Sequence, residues 1–188
     1  MLKVNKIIMR TIKFLLTTIA VLLCSVMANA YDFTVDGIYY NILSMSDLTV
    51  EVTEGDNKYS GEVIIPSTVS YKSITLTVTS IAYLAFSSCS GLTSVTIGNS
   101  VTTIGESAFS GCDSLTEVTI GDSVTTIGDS AFYGCWELEH VVLPCSLTKI
   151  ACNAFEDCQK LAEITIPSSV TEIGVEAFKH CTNLTRIT

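Results

Sequence analysis

A repeat of 23 residues runs through the second half of the chain and constrains its fold more than any other feature. Four columns of apolar residues recur at this spacing in one register. They are the phenylalanines Phe86, Phe109, Phe132, Phe155 and Phe178, the cysteines Cys89, Cys112, Cys135, Cys158 and Cys181, the leucines Leu92, Leu115, Leu138, Leu161 and Leu184, and the isoleucines Ile81, Ile104, Ile127, Ile150 and Ile173. Independent columns that share a register indicate that each 23-residue unit stacks on the next, as in a solenoid.

Each unit is predicted to form one coil. Between Leu115 and Ile120, the apolar residues Val118 and Ile120 lie two positions apart, which is the period of a β-strand. Glycine or proline then turns the chain, a short extended piece follows, and residues 128–132 are expected to form a brief helical turn. One coil cannot enclose its own apolar side chains, so stacked coils should form a parallel sheet on one face and short helical turns on the other, with the phenylalanines inside. We expect five parallel strands that begin near the five leucines.

The repeat also carries a family pattern, Ile-Gly-x-x-Ala-Phe-x-x-Cys-x-x-Leu-x-x-Val-x-Ile. One copy of it is formed by Ile104, Gly105, Ala108, Phe109, Cys112, Leu115, Val118 and Ile120. This pattern resembles the repeat of BspA-like bacterial surface proteins, the Treponema-type class of leucine-rich repeat, over residues 81–188. The resemblance implies a leucine-rich-repeat solenoid of about five repeats, secreted or on a cell surface, that mediates adhesion to host or bacterial proteins. It brings no catalytic residues with it.

Residues 31–80 are predicted to form a β-rich N-terminal cap with a partial first repeat. Two strand patterns flank Asp36-Gly37, a dipeptide typical of two-residue hairpin turns. Residues 63–69 match the strand and turn of a repeat, and an insertion at about 70–78 is expected to add a hairpin over the first coil. An atypical first repeat would hide the open end of the solenoid from water.

The first thirty residues have the pattern of a secretory signal peptide. A basic stretch precedes a short apolar run, and Ala28 and Ala30 provide small residues before the expected cleavage site. Lipid attachment at Cys24 is an alternative that the bulky Leu23 disfavours. The protein is therefore expected to be secreted or on the cell surface. The apolar run is too short for a spanning helix, and we expect no membrane span elsewhere.

The charge balance excludes two classes of partner. Four of the ten basic residues lie in the first thirty, so the rest of the chain has 19 acidic and six basic residues, a net charge of −13. Such a surface repels phosphate backbones and anionic lipid headgroups. Nucleic acid and membrane surfaces are therefore not expected partners.

Cysteine usage allows two interpretations. Disulfides are possible in an exported protein, and neighbouring members of the cysteine column would be close enough to bridge. Their side chains would run parallel rather than converge, however, and they lie between phenylalanine and leucine columns. We therefore predict that the column packs as small apolar groups. Cys145 and Cys152 lie off the column and are expected to be exposed, with their state left open.

The sequence offers no catalytic, cofactor-binding or metal-binding constellation. Its two histidines, His140 and His180, occupy different repeat positions, and paired-cysteine metal motifs are absent. A pair of carboxylates at Glu117 and Glu163 would lie about 10 Å apart, which is marginal for hydrolysis of a glycosidic bond. We predict that the protein is not an enzyme and needs no cofactor.

The candidate site is therefore a surface for a protein partner, either a host extracellular protein or a bacterial surface protein. The outward positions of the predicted sheet are Ser94, Glu117, His140, Glu163 and Arg186 in one column and Thr96, Thr119, Val142 and Thr165 in the other. A second candidate is the aromatic pair Tyr133 and Trp136 in the third coil. Packing over a neighbouring coil would also explain the aromatic pair, and β-branched threonines suit strands without any binding role.

Two functions remain open from the sequence. One is protein binding and adhesion, and the other is a structural spacer that displays a further domain absent from this chain. The chain stops inside a repeat without a polar cap, so the C-terminal coil is expected to be uncapped and open to self-association.

Overall fold

The computed structural model describes residues 31–188, and the expected signal peptide lies outside them. These residues form fifteen strands. The strands are β1 (Phe33–Val35), β2 (Ile38–Ser44), β3 (Thr49–Thr53), β4 (Ser60–Ile65), β5 (Thr68–Tyr71), β6 (Ile74–Ile81), β7 (Gly91–Ile97), β8 (Thr103–Ile104), β9 (Glu117–Thr119), β10 (Thr126–Ile127), β11 (His140–Val142), β12 (Lys149–Ile150), β13 (Glu163–Ile164), β14 (Glu172–Ile173) and β15 (Arg186–Ile187). No helix in this part of the chain is long and apolar enough to cross a membrane.

The repeats stack as parallel strands whose partners lie 23 residues apart. Val95 pairs with Val118, and Val118 pairs with Val141, in the four-stranded sheet β11-β9-β7-β4. The leucine-rich-repeat solenoid with parallel strands is therefore confirmed. The strands β9, β11, β13 and β15 each begin two residues after the leucine of their repeat, for example at Glu117 after Leu115. Between β11 and β13 the ladder is interrupted, and β13 and β15 form a separate pair.

A second ladder runs along another side of the coils. The short extended pieces pair in parallel as β6-β8-β10-β12-β14, so that Ile104 lies beside Ile127, and Ile127 beside Ile150. Each coil therefore contributes one strand to this second ladder and one to the β4–β11 sheet or the β13-β15 pair, and the isoleucines from Ile81 to Ile150 are buried.

The prediction of a short helical turn in each repeat is wrong, because these segments form runs of tight turns. Ser130 and Gly134 have φ angles of +54° and +67°, whereas an α-helix requires negative φ throughout. The N–H of Ala131 donates to the Gly128 carbonyl within the coil, but the N–H of Phe132 donates to the Ala154 carbonyl of the next coil, at 2.8 Å. Because alternate residues bond within and between coils, the chain cannot also form helical hydrogen bonds.

The phenylalanine column forms the centre of the core. Neighbouring rings from Phe86 to Phe178 stack with centroids 4.7, 5.1, 5.1 and 5.4 Å apart. The first four rings are fully buried and Phe178 is half-buried. Each buried ring contributes roughly 1.5–3 kcal/mol of transfer free energy. The stacking of the phenylalanines inside the solenoid is confirmed.

Residues 31–81 contain an antiparallel three-stranded unit, β1-β2-β3, and a separate hairpin, β5-β6. β1 and β2 pair across Asp36-Gly37, whose φ angles of +51° and +79° suit a two-residue hairpin turn. β5 and β6 form the hairpin expected from the insertion at about 70–78. Because β3 pairs in parallel with β6, the β1-β2-β3 unit extends the second ladder, whereas β4 extends the first.

Candidate binding face

The two outward columns of the sequence analysis lie in register on one surface, which we call the outer face. It consists of the outward side chains of β4, β7, β9, β11, β13 and β15. Ser94 pairs with Glu117 and Glu117 with His140, while Thr96 pairs with Thr119 and Thr119 with Val142. Glu163, Thr165 and Arg186 continue the two columns beyond the interrupted ladder. Ser94 is half-buried and the other eight are exposed.

Two residues of the outer face were missed by the sequence analysis. Glu62 pairs with Ser94 and Ile64 pairs with Thr96, so both columns extend onto β4. Ile64 is 62% exposed and, like Val142 in the same column, offers an apolar contact on the outer face. The match of residues 63–69 to a repeat was the signal that could have placed them, because it aligns Ile65-Pro66 with Ile97-Gly98.

The threonines of the sheet fall into two groups. In the first group the hydroxyl stabilises the stack, since Thr116 Oγ1 donates to the Thr93 carbonyl and Thr102 Oγ1 donates to the Thr79 carbonyl, both at 3.1 Å. Within residues 31–188 the hydroxyls of Thr96 and Thr119 make no hydrogen bond. The suitability of threonine for strands explains its presence in both groups, but only the second group keeps a hydroxyl available on the outer face.

A depression opens on the outer face where the ladder is interrupted. The N–H of Glu139 donates to the Thr116 carbonyl and that of Thr185 to the Ala162 carbonyl, both at 3.0 Å. No equivalent bond joins Ala162 to Glu139 in the described part of the chain. The resulting depression of about 400 Å³ is lined by His140, Val142, Glu163 and Arg186, among others.

The turn residue changes from glycine to proline at this opening. In the two preceding coils it is Gly98 and Gly121, and a Cβ on Gly121 would lie 2.5 Å from the Gly98 carbonyl oxygen. Such a close approach is possible only without a side chain. The next two coils carry Pro144 and Pro167 at this position, and a proline ring excludes so close an approach.

The ion pair on the outer face is weak. Arg186 Nη1 lies 3.6 Å from Glu163 Oε2, and both side chains are about two-thirds exposed to water. Exposed pairs of this kind contribute about 0–1 kcal/mol. Both groups therefore stay available to a partner of the opposite charge.

The aromatic pair lies apart from the outer face, in the turn segment of the third coil. Tyr133 is 41% exposed and Trp136 is 51% exposed, so neither is buried by a neighbouring coil. Beside them, Lys160 Nζ lies 2.5 Å from Glu137 Oε2. The structure therefore offers two separate surfaces, and the aromatic pair does not add to the outer face.

The cysteine column has a packing role and no reactive character. Cys112 Sγ donates to the Phe86 carbonyl at 3.1 Å, and the same contact recurs from Cys135 to Phe109 and from Cys158 to Phe132. Burial raises the pKa of the Cys112 thiol to about 12, and it raises the pKa of Cys135 and Cys158 well above the ordinary value. Neutral, buried thiols are poor nucleophiles and poor metal ligands.

The seven cysteines of residues 31–188 are all free. Cys145 is exposed as expected, whereas Cys152 is half-buried. No group of three or more histidine, cysteine or acidic side chains in this part of the chain could hold a metal ion.

Comparison with known proteins identifies a family whose repeat matches most of this chain. The model of the BspA type leucine-rich repeat region matches residues 65–188 with six copies. A leucine-rich repeat protein from Bacteroides ovatus is 41% identical with a TM-score of 0.78, over 84% of this chain and 41% of its own. A leucine-rich repeat protein from T. pallidum is 31% identical with a TM-score of 0.74, over 83% of this chain and 70% of its own. A leucine rich cell surface protein from Faecalibacterium prausnitzii is 27% identical with a TM-score of 0.52, over 88% of this chain and 55% of its own.

A comparison with curated proteins finds no match. The chain spans less than half the length of the Bacteroides ovatus protein.

Proposed function

Because the chain belongs to the family of BspA-type leucine-rich repeat proteins, we propose that it binds a protein partner through the outer face. Repeat proteins of this type are generally non-enzymatic scaffolds for protein-protein interaction, and they are typically bacterial surface or secreted proteins. The proposal assigns this general role to one surface of the present chain.

The observation that carries the proposal is the contrast between the two groups of threonines. The hydroxyls of residues such as Thr116 and Thr125 stabilise the stack, and that of Thr165 pairs with Thr188, whereas those of Thr96 and Thr119 are exposed without a partner among the described residues. They lie beside Val142, which is 69% exposed, so the outer face combines polar groups with an apolar contact. Six strands at about 4.8 Å spacing give a surface some 24 Å long, which suits a folded partner better than a small molecule.

We extend this proposal to the cellular location of the protein and to the class of its partner. We propose that residues 1–30 act as a signal peptide and that the protein works outside the cytoplasm, in adhesion to a host extracellular protein or a bacterial surface protein. The net charge of −13 after residue 30 supports a protein partner over nucleic acid or anionic lipid.

We also propose that residues 31–80 cap the first coil. Tyr39 and Tyr40 are buried, and Val78 of β6 is fully buried where β3 pairs with β6 through Val50. Nearest-neighbour stacking stabilises a solenoid only when its terminal coils are covered.

Binding of the fluorescently labelled chain to intact bacteria and to host epithelial cells tests the proposal. Thr119→Arg places a bulky charge in the middle of the outer face and should lower binding by about tenfold or more. Thr103→Arg, on the exposed side of the second ladder, is the matched control and should bind as the unmodified chain does. Protease treatment of the cells should abolish binding, since the partner is a protein. Equal binding by all three chains would refute a role for the outer face.

The spacer hypothesis predicts a different result in the same assay. A spacer needs no partner of its own, so the folded, unmodified chain would bind neither cell type. The Bacteroides ovatus and Faecalibacterium prausnitzii proteins are longer than this chain, and such additional length is what a spacer that displays a further domain would require.

A further inference from the structure

The two sheets of the solenoid end differently at the N-terminal side. The second ladder continues through β3, β2 and β1, whereas the sheet of the outer face stops at β4. β4 pairs with β7 on one side, and within residues 31–188 no strand pairs with its other side. An edge strand of this kind presents unpaired N–H and C=O groups at alternate residues.

A groove runs along this free edge. One part, of about 570 Å³, lies between the Asp36-Gly37 turn and residues 60–64. A second part, of about 360 Å³, continues past Ile64 to Ser70, and Asp36, Ile38 and Ile64 line both parts. The two volumes are within the range of occupied binding pockets, and their lining residues follow one another along β4 and into β5.

The register of β4 limits how much of the edge can accept a strand. The pairing with β7 shifts by one residue between Gly61 and Glu62, and Gly61 has a φ angle of +70°. Such irregularities interrupt pairing on an edge strand. The regular stretch from Glu62 to Ile65 is four residues, or about 13 Å, long.

The side chains along the groove select its occupant. Ile64 is largely exposed and offers an apolar contact, and Asp36 and Glu62 contribute carboxylates. Lys58 also lines the groove, and its ammonium group donates to the Ser87 carbonyl at 2.7 Å, so one cation stands against the two carboxylates. The groove therefore has a net negative charge, and Ile64 is its most exposed apolar side chain.

We propose that the free edge of β4 is a second binding site, which takes an extended polypeptide segment of a partner protein that carries a lysine or arginine and an apolar residue. The segment adds to β4 as a further strand, so that main-chain hydrogen bonds supply affinity and alternate side chains supply specificity. A second copy of this chain is a poor occupant, because the net charge of −13 that it carries after residue 30 repels an acidic groove.

Two synthetic hexapeptides test the proposal on the full chain. Both alternate valine with polar residues, and one carries two lysines where the other carries two glutamates. Fluorescence anisotropy should show binding of the basic peptide, with the acidic peptide weaker by about tenfold or more. Bound basic peptide should slow amide exchange within residues 60–65 and leave residues 117–119 unchanged.

Variants locate the site on β4. Ile64→Lys and Glu62→Lys should each weaken binding of the basic peptide by about tenfold. The control, Val142→Lys, lies in the same exposed column but away from the groove and should bind the peptide normally, as should Thr119→Arg. Thermal unfolding and far-UV circular dichroism show whether each variant is folded.

Four results would overturn the proposal. They are equal affinity for both peptides, no binding of either at about 1 mM, exchange protection outside β4, and an equal loss with Val142→Lys and Ile64→Lys. Failure of Thr119→Arg to alter cell binding would refute the role of the outer face and leave this groove untouched.

Discussion

The ring of Tyr59 packs against the ring of Phe86, with the two centroids 4.3 Å apart. Tyr59 thus takes the place of a phenylalanine one coil before the repeat column begins. On its other side it contacts Tyr39, at 5.7 Å, and Tyr39 in turn contacts Tyr31, at 4.6 Å. A continuous row of aromatic contacts therefore joins the N-terminal hairpins to the repeats.

The hydroxyl of Tyr59 gives the first prediction. It accepts a hydrogen bond from the N–H of Tyr39 at 3.0 Å and donates to the Thr53 carbonyl at 2.8 Å. Tyr59→Phe keeps the ring but leaves both buried groups unpaired, so the free energy of unfolding should fall by about 1–3 kcal/mol. Urea unfolding measures this loss. Tyr133→Phe, at an exposed position, is the control, and similar stabilities for the two variants would contradict the assigned role.

The phenylalanine column gives the second prediction. Phe109→Ala removes a ring that contacts neighbours on both sides, so it should lower the free energy of unfolding by about 3–5 kcal/mol. Phe178 contacts one ring of the column and is half-buried, so Phe178→Ala should cost less. Equal losses for both substitutions in urea unfolding would mean that stacking contributes little.

Thiol reactivity gives the third prediction. Cys145 is exposed, whereas Cys112, Cys135 and Cys158 are buried with raised pKa values. Iodoacetamide at pH 8 should therefore modify Cys145 in the folded chain and the three buried thiols only after denaturation. Mass spectrometry of tryptic peptides identifies the modified positions. A disulfide between members of the column would refute the packing role.

Alkaline pH gives the fourth prediction. The pKa of Cys112 rises from an ordinary value of 9.0 to about 12 in the folded chain, so the native state holds a proton that the unfolded state loses. The stabilising contribution is therefore complete below pH 9 and is lost as the pH rises toward 12. Burial acts in the same direction on Tyr40, whose pKa rises to about 12.

Urea unfolding between pH 8 and pH 11 should show this loss. Cys112→Ala should flatten the decline in stability above pH 9, because the titrating group is gone. Cys145→Ala removes an exposed thiol and should leave the decline unchanged. An identical decline in the two variants would show that Cys112 does not contribute to it.

The last coil gives the fifth prediction. Residues 174–188 pack against the preceding coil, and Ile173, Val175 and Ile187 are more than half exposed. We expect these residues to exchange amide hydrogens faster than residues 104–120, and the chain to self-associate through this coil as its concentration rises. Hydrogen exchange and sedimentation velocity measure the two effects. A monomer whose last coil exchanges as slowly as the inner ones would contradict both.

The sequence predicts those parts of the fold that depend on spacing within the repeat. The buried phenylalanines and the hairpin at Asp36-Gly37 follow from periodicity and from turn chemistry, both of which are local. The outward columns, from Ser94 to Arg186, also follow from strand alternation, because every second residue of a strand faces the same way.

Features that depend on neighbouring coils could not be predicted in the same way. Residues 128–132 have a plausible helix start, but cross-coil bonds such as that from Phe132 to Ala154 replace the helical ones. The depression beside His140 lies where the strand ladder is interrupted between two coils, and the free edge of β4 depends on where the hairpins fold. None of these relationships is visible in a single repeat.

The bonds between coils also restrict how the gene can change. Thr125 Oγ1 donates to the carbonyl of Thr102 and the N–H of Asp122 donates to the side chain of Asn99, in each case across 23 residues. Insertion of one codon between Thr102 and Thr125 would make that coil one residue longer than its neighbours, so the extra residue would have to bulge out for both bonds to persist. Removal or duplication of 23 codons joins equivalent positions and leaves all contacts matched. Recombination in blocks of 23 codons is therefore a route by which such a chain can change length while every coil keeps its contacts.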